Sequence, residues 1–358
     1  MNLVFETIEK IVPVESSWLD RAAARQLKLT KPPGSLGRLE TIANRICAIQ
    51  QTLRPNVKKR EIVVFAASHG VCAENVSPYG AEVTGQMVLN FLRGGAAINA
   101  LAGIAEAELT IVDIGVDDDF EESAANFVRA KIASGTKNLA RGAAMSEGEM
   151  LAAINVGIEL AKTAKHKNVG IVGLGEMGIG NTTAAAAITA SLLNLAPEET
   201  VGRGTGADDP MLKHKIETVR RALEINQPDS NNPFSILQTV GGLEIAGLVG
   251  FCLCAAAERI AIVTDGFIAM AATALAVKIC PNVKDYVFAS HQSVEPGHGA
   301  LLEFIEQKPF FDLEMRLGEG TGAALAINLI AAAVAAFNEM ATFDSASVSE
   351  KLTADEKK

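Results

Sequence analysis

Two short stretches carry residues that could do chemistry. The first, "GLGEMGIGNTT" (Gly173 to Thr183), follows the apolar run "NVGIV" and leads into "AAAAITASLLNL". Gly173, Gly175 and Gly178 make G-x-G-x-x-G between a predicted strand and a predicted helix, the spacing of a dinucleotide fingerprint. That reading needs an acidic residue closing a second strand about 20 residues further on. Glu198 and Glu199 stand near that distance, but in "NLAPEET", a Pro-containing loop after an Ala-rich helix. Glu176 also places a negative charge where a pyrophosphate would need room. A smaller phosphate fits better: Gly178 and Gly180 allow close backbone approach, and Asn181, Thr182 and Thr183 offer N–H and hydroxyl donors at a helix start. The second stretch is "EMRLGEGTG", with Glu319 between Gly318 and Gly320 and a helix starting at Thr321. A carboxylate there is either a charge favoured by the helix dipole or a general base on an uncrowded backbone. A third Gly-rich loop, "VGRGTGADD", runs from Val201 to Asp209.

Composition narrows the partners. The chain has 358 residues, 49% hydrophobic and only 5% aromatic, with long Ala- and Gly-rich tracts. Small side chains let helices lie close on a sheet, and the length allows one large domain or two smaller ones. The net charge of -10, with no basic block, argues against nucleic-acid binding. An anionic substrate would need local positive charge, from among Lys31, Arg38, Arg203, Lys215 and Arg316. The first residues carry charges without a basic-then-apolar order, so they are not read as a signal peptide. The apolar tracts "GFIAMAATALAV" and "GAALAINLIAAAVAAF" are short for a membrane span. Five scattered cysteines form no metal or disulfide framework, and Cys252 and Cys254 read as apolar packing. His69, His291 and His298 have no Cys or carboxylate partners at ligand spacing, so no metal is expected. These features predict a cytoplasmic protein.

The elements that must position these residues follow from periodicity. "ESSWLDRAAARQLKL" and "RLETIANRICAIQQTL" have helical spacing. Five apolar runs, "REIVVFAA", "ELTIVDIGV", "NVGIVGLG", "RIAIVTDG" and "YVFAS", then alternate with helical stretches. Such alternation predicts an α/β fold with a buried parallel sheet and helices on both faces. Every run ends in polar or Gly-rich residues: "SHG", "DIG", "GEMGIGN", "TDG" and "SHQS". In a parallel sheet these ends share one edge, where ligands bind. A helix at "GTGAALAINLIAAAVAAFNEMATF" and a polar, frayed tail, "DSASVSEKLTADEKK", close the chain.

Six motifs occur in order: "KPPGSLGRLE", "GEMGIGNTT", "GGLEIAGLVG", "DGFI", "SHQSVEPGH" and "MRLGEGTGAALA". As a set, covering about Lys31 to Phe337, they resemble the nicotinate-nucleotide:dimethylbenzimidazole phosphoribosyltransferase family of cobamide biosynthesis. The resemblance implies a Rossmann-like sheet domain at 59–305 and a small helical domain built from both chain ends. Its N-terminal part would be 1–58; segment 306–358 would carry the catalytic Glu loop, the last helix and the tail. It implies transfer of the 5-phosphoribosyl group of nicotinate mononucleotide to an aromatic base with inversion, without a cofactor, by a dimer with sites near its interface. By the same resemblance Glu319 is the general base and Glu176 a second catalytic carboxylate. Gly178, Ile179, Gly180, Asn181, Thr182, Lys215, Ser293 and Gly320 hold the donor, and Tyr79, Met87, Met177 and Leu317 line the acceptor pocket. An apolar pocket would raise the pKa of Glu319 and a helix start would lower it.

The chain departs from the family in having Ser68 where Asp is common and Gly80 where Pro is frequent. Both positions are expected near the acceptor pocket, so two acceptors stay open: a benzimidazole, or phenol/p-cresol in the branch that works as a pair of unlike subunits. An NAD-dependent dehydrogenase and a non-catalytic partner subunit are the competing classes. Retention of Glu319, Glu176 and "GNTT" argues for an active subunit.

Overall fold

The computed structural model describes residues 2–349. They fall into two compact units. The larger holds the residues up to Pro13 and Lys59–Ile327; the smaller holds Val14–Lys58 and the residues from Asn328 on. The first residues, assigned from sequence to the small helical domain, therefore go with the sheet. There the amide Nδ2 of Asn282 donates to Ile11 O at 3.2 Å and the Tyr286 hydroxyl donates to Val12 O at 2.9 Å.

The larger unit is built on a six-stranded, all-parallel sheet in the order β3-β2-β1-β4-β5-β6. The strands are β1 (Arg60–Ala67), β2 (Glu108–Gly115), β3 (Phe127–Arg129), β4 (Ile171–Met177), β5 (Ala261–Thr264) and β6 (Val287–Ala289). Five of them match the apolar runs. Strand β3 is an addition: three residues registered against Ile111, Val112 and Asp113 at the sheet edge. The winding direction reverses between β1 and β4, which opens a crevice beyond their carboxyl ends. In that pair Phe65 stands opposite Glu176 and Ala66 opposite Met177.

Alternating side chains of β1 meet helices on opposite faces of the sheet. On one face Phe65 packs edge-on to Phe251 of the Leu243–Ala257 helix, 6.1 Å between ring centroids. On the other, a Cβ on Gly173 would meet Ile62 at 3.1 Å and Ala323 at 3.2 Å. That close approach explains the glycine spacing. Gly173 and Gly175 lie inside β4, not in a phosphate-binding turn. A Cβ on Gly175 would meet Glu319 O at 2.6 Å. These two glycines let the Glu319 loop and its helix lie directly on the sheet, which removes the basis of the dinucleotide reading.

In the smaller unit, the helices Ser16–Gln26 and Arg38–Gln50 lie with the last helical turns. Leu29 and Thr342 form an antiparallel bridge, and the Arg25 guanidinium donates to Phe337 O at 3.1 Å. Part of the expected frayed tail is ordered: Phe343–Ala346 is a short helix whose N-cap, Thr342, accepts from Ser345 N at 3.1 Å. Residues 350–358 of that tail lie outside the described residues. Two stretches, Val83–Ile104 and Thr321–Glu339, are long and apolar enough to cross a membrane by length and composition. The first is two helices, Val83–Leu92 and Ala97–Ile104, broken by a turn. The second packs Ala323, Ala324, Ile327, Ile330 and Phe337 into the interior.

Candidate active site

A cavity of about 570 Å³ opens at the carboxyl edge of the sheet. Glu176 and Met177 reach it from the end of β4, and Gly178 to Thr182 from the loop and helix that follow. Tyr79 and Met87 come from the connection after β1, His291 and Ser293 from the segment after β6, and Leu317 to Glu319 from the loop before the Thr321–Glu339 helix. Both predicted carboxylates and all four predicted acceptor residues therefore line one space. The "DIG" end of β2 does not. Asp113 is buried, accepts from Val116 N at 2.8 Å and stands 3.8 Å from the Lys131 ammonium.

Glu319 sits at the crest of a tight loop. Gly318, Glu319 and Gly320 have φ values of 87°, 64° and 87°, three consecutive left-handed residues. Glycine adopts this region freely, whereas a glutamate there is strained by about 1–2 kcal/mol. A Cβ on Gly318 would meet Glu176 Oε1 at 2.4 Å. The glycine is therefore what lets the two carboxylates share the site. Glu319 is 5% exposed, and its Oε2 accepts from Ile98 N, 3.4 Å away at the start of the Ala97–Ile104 helix. Burial outweighs that bond and raises its pKa above the ordinary carboxylate range. Desolvation thus wins the contest that the sequence left open.

Glu176 is also 5% exposed. Burial raises its pKa well above normal, and the Glu244, Asp265 and Glu319 carboxylates push it the same way. A hydrogen bond from the Asn181 side-chain amide opposes them. Glu244, buried at the start of its helix, is held by His69, with Nε2 and Oε1 2.7 Å apart.

The Gly178–Thr183 loop, expected to hold a phosphate, uses several of its own donors. Ile179 N donates to Thr84 Oγ1 at 3.0 Å, Asn181 N to Gly178 O at 3.0 Å and Thr183 N to Gly180 O at 2.9 Å. Thr183 is fully buried, with its hydroxyl unpartnered, and does not line the cavity. The backbone N–H groups of Asn181 and Thr183 are thus spent on the loop itself, and the Asn181 side-chain amide on Glu176. Thr182 remains, its Oγ1 accepting from Lys215 Nζ at 2.7 Å. Lys215 is 1% exposed, and burial lowers its pKa to about 8 against the opposing pull of Glu295. Gly320, expected among the residues that hold the nucleotide donor, has its amide committed to Asp265 Oδ2 at 3.0 Å and does not line the cavity.

Of the five candidate cations, Arg203, Lys215 and Arg316 line the cavity. Arg316 donates to Gly204 O at 2.8 Å, and Glu295 Oε1 accepts from Gly204 N at 2.8 Å, so the third Gly-rich loop is fixed from both sides of one residue. Lys31 and Arg38 belong to the smaller unit, where Lys31 pairs with Glu40 at 2.7 Å. Ser68 and Gly80, the two departures, are also absent from the lining. The Ser68 hydroxyl accepts from Asp117 N at 3.0 Å, turned to the segment after β2.

Burial keeps His291 and His298 neutral. His298 Nδ1 accepts from Ser293 N at 2.9 Å, and burial lowers its pKa to about 3. His291, at about 4 for the same reason, hydrogen-bonds Ser290 through Nδ1 at 2.9 Å. Asp265, Glu244 and Glu295 are the residues to which sequence reading gave no role, although all three stand in quoted motifs. Among the described residues no cluster of three or more metal-ligating side chains occurs.

A family model described as phosphoribosyltransferase matches residues 11–348. The chain belongs to this family. It is 50% identical over 348 residues to the nicotinate-nucleotide–dimethylbenzimidazole phosphoribosyltransferase of Geobacter sp. (strain M21), covering 97% of this chain and 99% of the relative. Against the protein of that name from Geobacter sulfurreducens it is 49% identical over 350 residues, 98% of this chain and 99% of the relative. A crystal structure of CobT from Thermus thermophilus superposes with a TM-score of 0.89 at 44% identity, over 94% of this chain and 100% of that one. The family is one of pentosyl-transferring enzymes, with the α/β parallel-sheet fold found here.

Proposed function

We infer that this enzyme transfers the 5-phosphoribosyl group of nicotinate mononucleotide to 5,6-dimethylbenzimidazole, releasing nicotinate. The observation that carries the reading is the presence of two buried carboxylates, Glu176 and Glu319, in one cavity with the Gly178–Thr182 loop and Lys215. The donor's pyridinium nitrogen takes the electrons of the C1′–N bond and leaves neutral, so no acid is required. One lone pair of the azole attacks C1′, and the proton on its other nitrogen passes to Glu319. A single displacement inverts β to α. A base with a raised pKa suits this step, because proton transfer is most effective when the base is matched to its task. Glu176, facing the site beside it, supplies negative charge or, when protonated, a hydrogen bond to the sugar. Thr182, Lys215 and Ser293 hold the phosphate; Tyr79, Met87, Met177 and Leu317 take the flat acceptor, with the thioethers adapting to the ring.

The p-cresol alternative rested on Ser68 and Gly80, and neither is in the cavity lining, so the benzimidazole stands first. A homodimer is the working unit in this reading. Tyr79 and Leu317 line the cavity yet are 52% and 57% exposed, a surface that a second copy would cover. Calorimetric binding of nicotinate mononucleotide, with turnover of Glu319→Gln, tests the assignment. Donor binding within about threefold of the parent and turnover lowered by about 100-fold or more are expected. Near-parent turnover in that variant would remove Glu319 as the base.

A further inference from the structure

We propose that Asp265 is a positioning residue for the reaction: from the end of β5 it anchors the Gly318–Gly320 loop and so fixes Glu319 against its substrate. The inference rests on the reading of Glu319 as the base. Asp265 follows β5 directly and is 1% exposed. Its Oδ2 accepts from Gly320 N at 3.0 Å, and its Oδ1 accepts from Gly322 N at 2.7 Å and Ala323 N at 3.1 Å. All three donors flank or open the Thr321–Glu339 helix, whose first amides have no partner within the helix.

Those amides are ordinarily capped by the side chain just before the helix. Here that position is Gly320, which has none and cannot gain one. Its φ is 87°, and a Cβ there would meet Ile62 at 3.0 Å and Gly175 at 3.3 Å. The loop that carries Glu319 caps only the Thr321 amide, through Gly318 O at 3.1 Å, and has no side chain for the amides that follow. Asp265 does so from a neighbouring strand, 55 residues away in sequence. A left-handed Glu319 between two glycines has no local preference for one direction. The carboxylate that ties down three of the next four amides, those of Gly320, Gly322 and Ala323, is what selects it. Asp265 is not among the cavity-lining residues.

Asp265→Asn keeps one oxygen for Gly322 and Ala323 but turns an NH2 toward Gly320 N–H, or the reverse. The expected result is a kcat lowered about 100-fold, as for a misplaced catalytic group, with donor binding and donor KM within about threefold of the parent. In the double variant with Glu319→Gln, turnover should be within about threefold of Glu319→Gln alone, because Asp265 acts through Glu319. A parent-like kcat in Asp265→Asn, donor affinity falling in proportion to kcat, or losses that multiply in the double variant would each overturn the proposal. If Asp265→Asn does not fold, Asp265→Ser, whose hydroxyl still accepts one N–H, is read the same way; failure of both to fold would assign Asp265 to folding alone and also overturn it. The base reading fails separately, through a fast Glu319→Gln single variant.

Discussion

Lys215→Met gives a direct test of the proposed phosphate site. The ammonium is 1% exposed and donates to Thr182 Oγ1 at 2.7 Å and Gly202 O at 3.3 Å. Burial has moved its pKa from 10.5 to about 8. That shift disfavours the charged form by about 3 kcal/mol relative to water. The proton count gives the sign. Between pH 8 and 10.5 the unfolded chain holds a proton on this lysine that the folded chain has lost, so its cost to stability is full below pH 8 and fades as pH rises. Methionine removes that cost but forfeits two hydrogen bonds of about 1 kcal/mol each. It also removes a positive charge that interacts favourably with Glu295. The net change is small, and the variant should melt within roughly 3 °C of the parent at pH 7. The donor loses a charge-assisted contact worth about 1.5–3 kcal/mol, so its Kd should rise roughly 10- to 150-fold. In the parent, kcat/KM for the donor should fall about tenfold per pH unit above pH 8, since it reports the free enzyme. At saturating donor, kcat should stay level to higher pH, because a bound phosphate draws the lysine pKa back up. The pH limb should vanish in Lys215→Met. Donor affinity within threefold of the parent, or the same alkaline limb in the variant, would refute the assignment of Lys215 to the phosphate.

Three further outcomes follow from the same geometry. Burial raises the pKa of Glu319, so the acidic limb of kcat/KM for the acceptor should lie above the usual carboxylate range and should disappear in Glu319→Gln. Gly318→Ala places a methyl 2.4 Å from Glu176 Oε1 on a left-handed backbone, and should lower kcat at least about tenfold while donor binding, measured by calorimetry, holds. Met177→Ala removes a lining thioether and should raise acceptor KM by about tenfold, with donor KM unchanged in the same kinetic runs.

The sheet was legible because its long strands are continuous apolar runs closed by polar residues, a pattern that buried parallel strands require. Strand β3 was not, since three residues at an edge take their pairing from β2 and have no periodicity of their own. The two glycines of β4 misled in an instructive way. Their spacing matched a phosphate turn, but their cause is a helix and a loop packed across the sheet, which only the fold reveals. Motif resemblance was enough to name Glu176, Glu319, Tyr79, Met87, Met177 and Leu317, which line one cavity. It was not enough for the sign of the Glu319 shift, because that depends on burial set by residues as distant as Ile98. Asp265 was visible only as a strand-end acid; its bonds to Gly320, Gly322 and Ala323 connect separate motifs. Ser68 shows the converse, a departure that looked like an acceptor determinant and proves to be bonded to a neighbouring loop.

The central claim is tested most directly by incubating the purified chain with nicotinate mononucleotide and equal amounts of dimethylbenzimidazole and p-cresol, then identifying the products by mass and anomeric configuration. The account predicts an N-linked α-riboside phosphate of dimethylbenzimidazole together with free nicotinate. An O-linked cresol product, a β-riboside, or no product from either acceptor would contradict it.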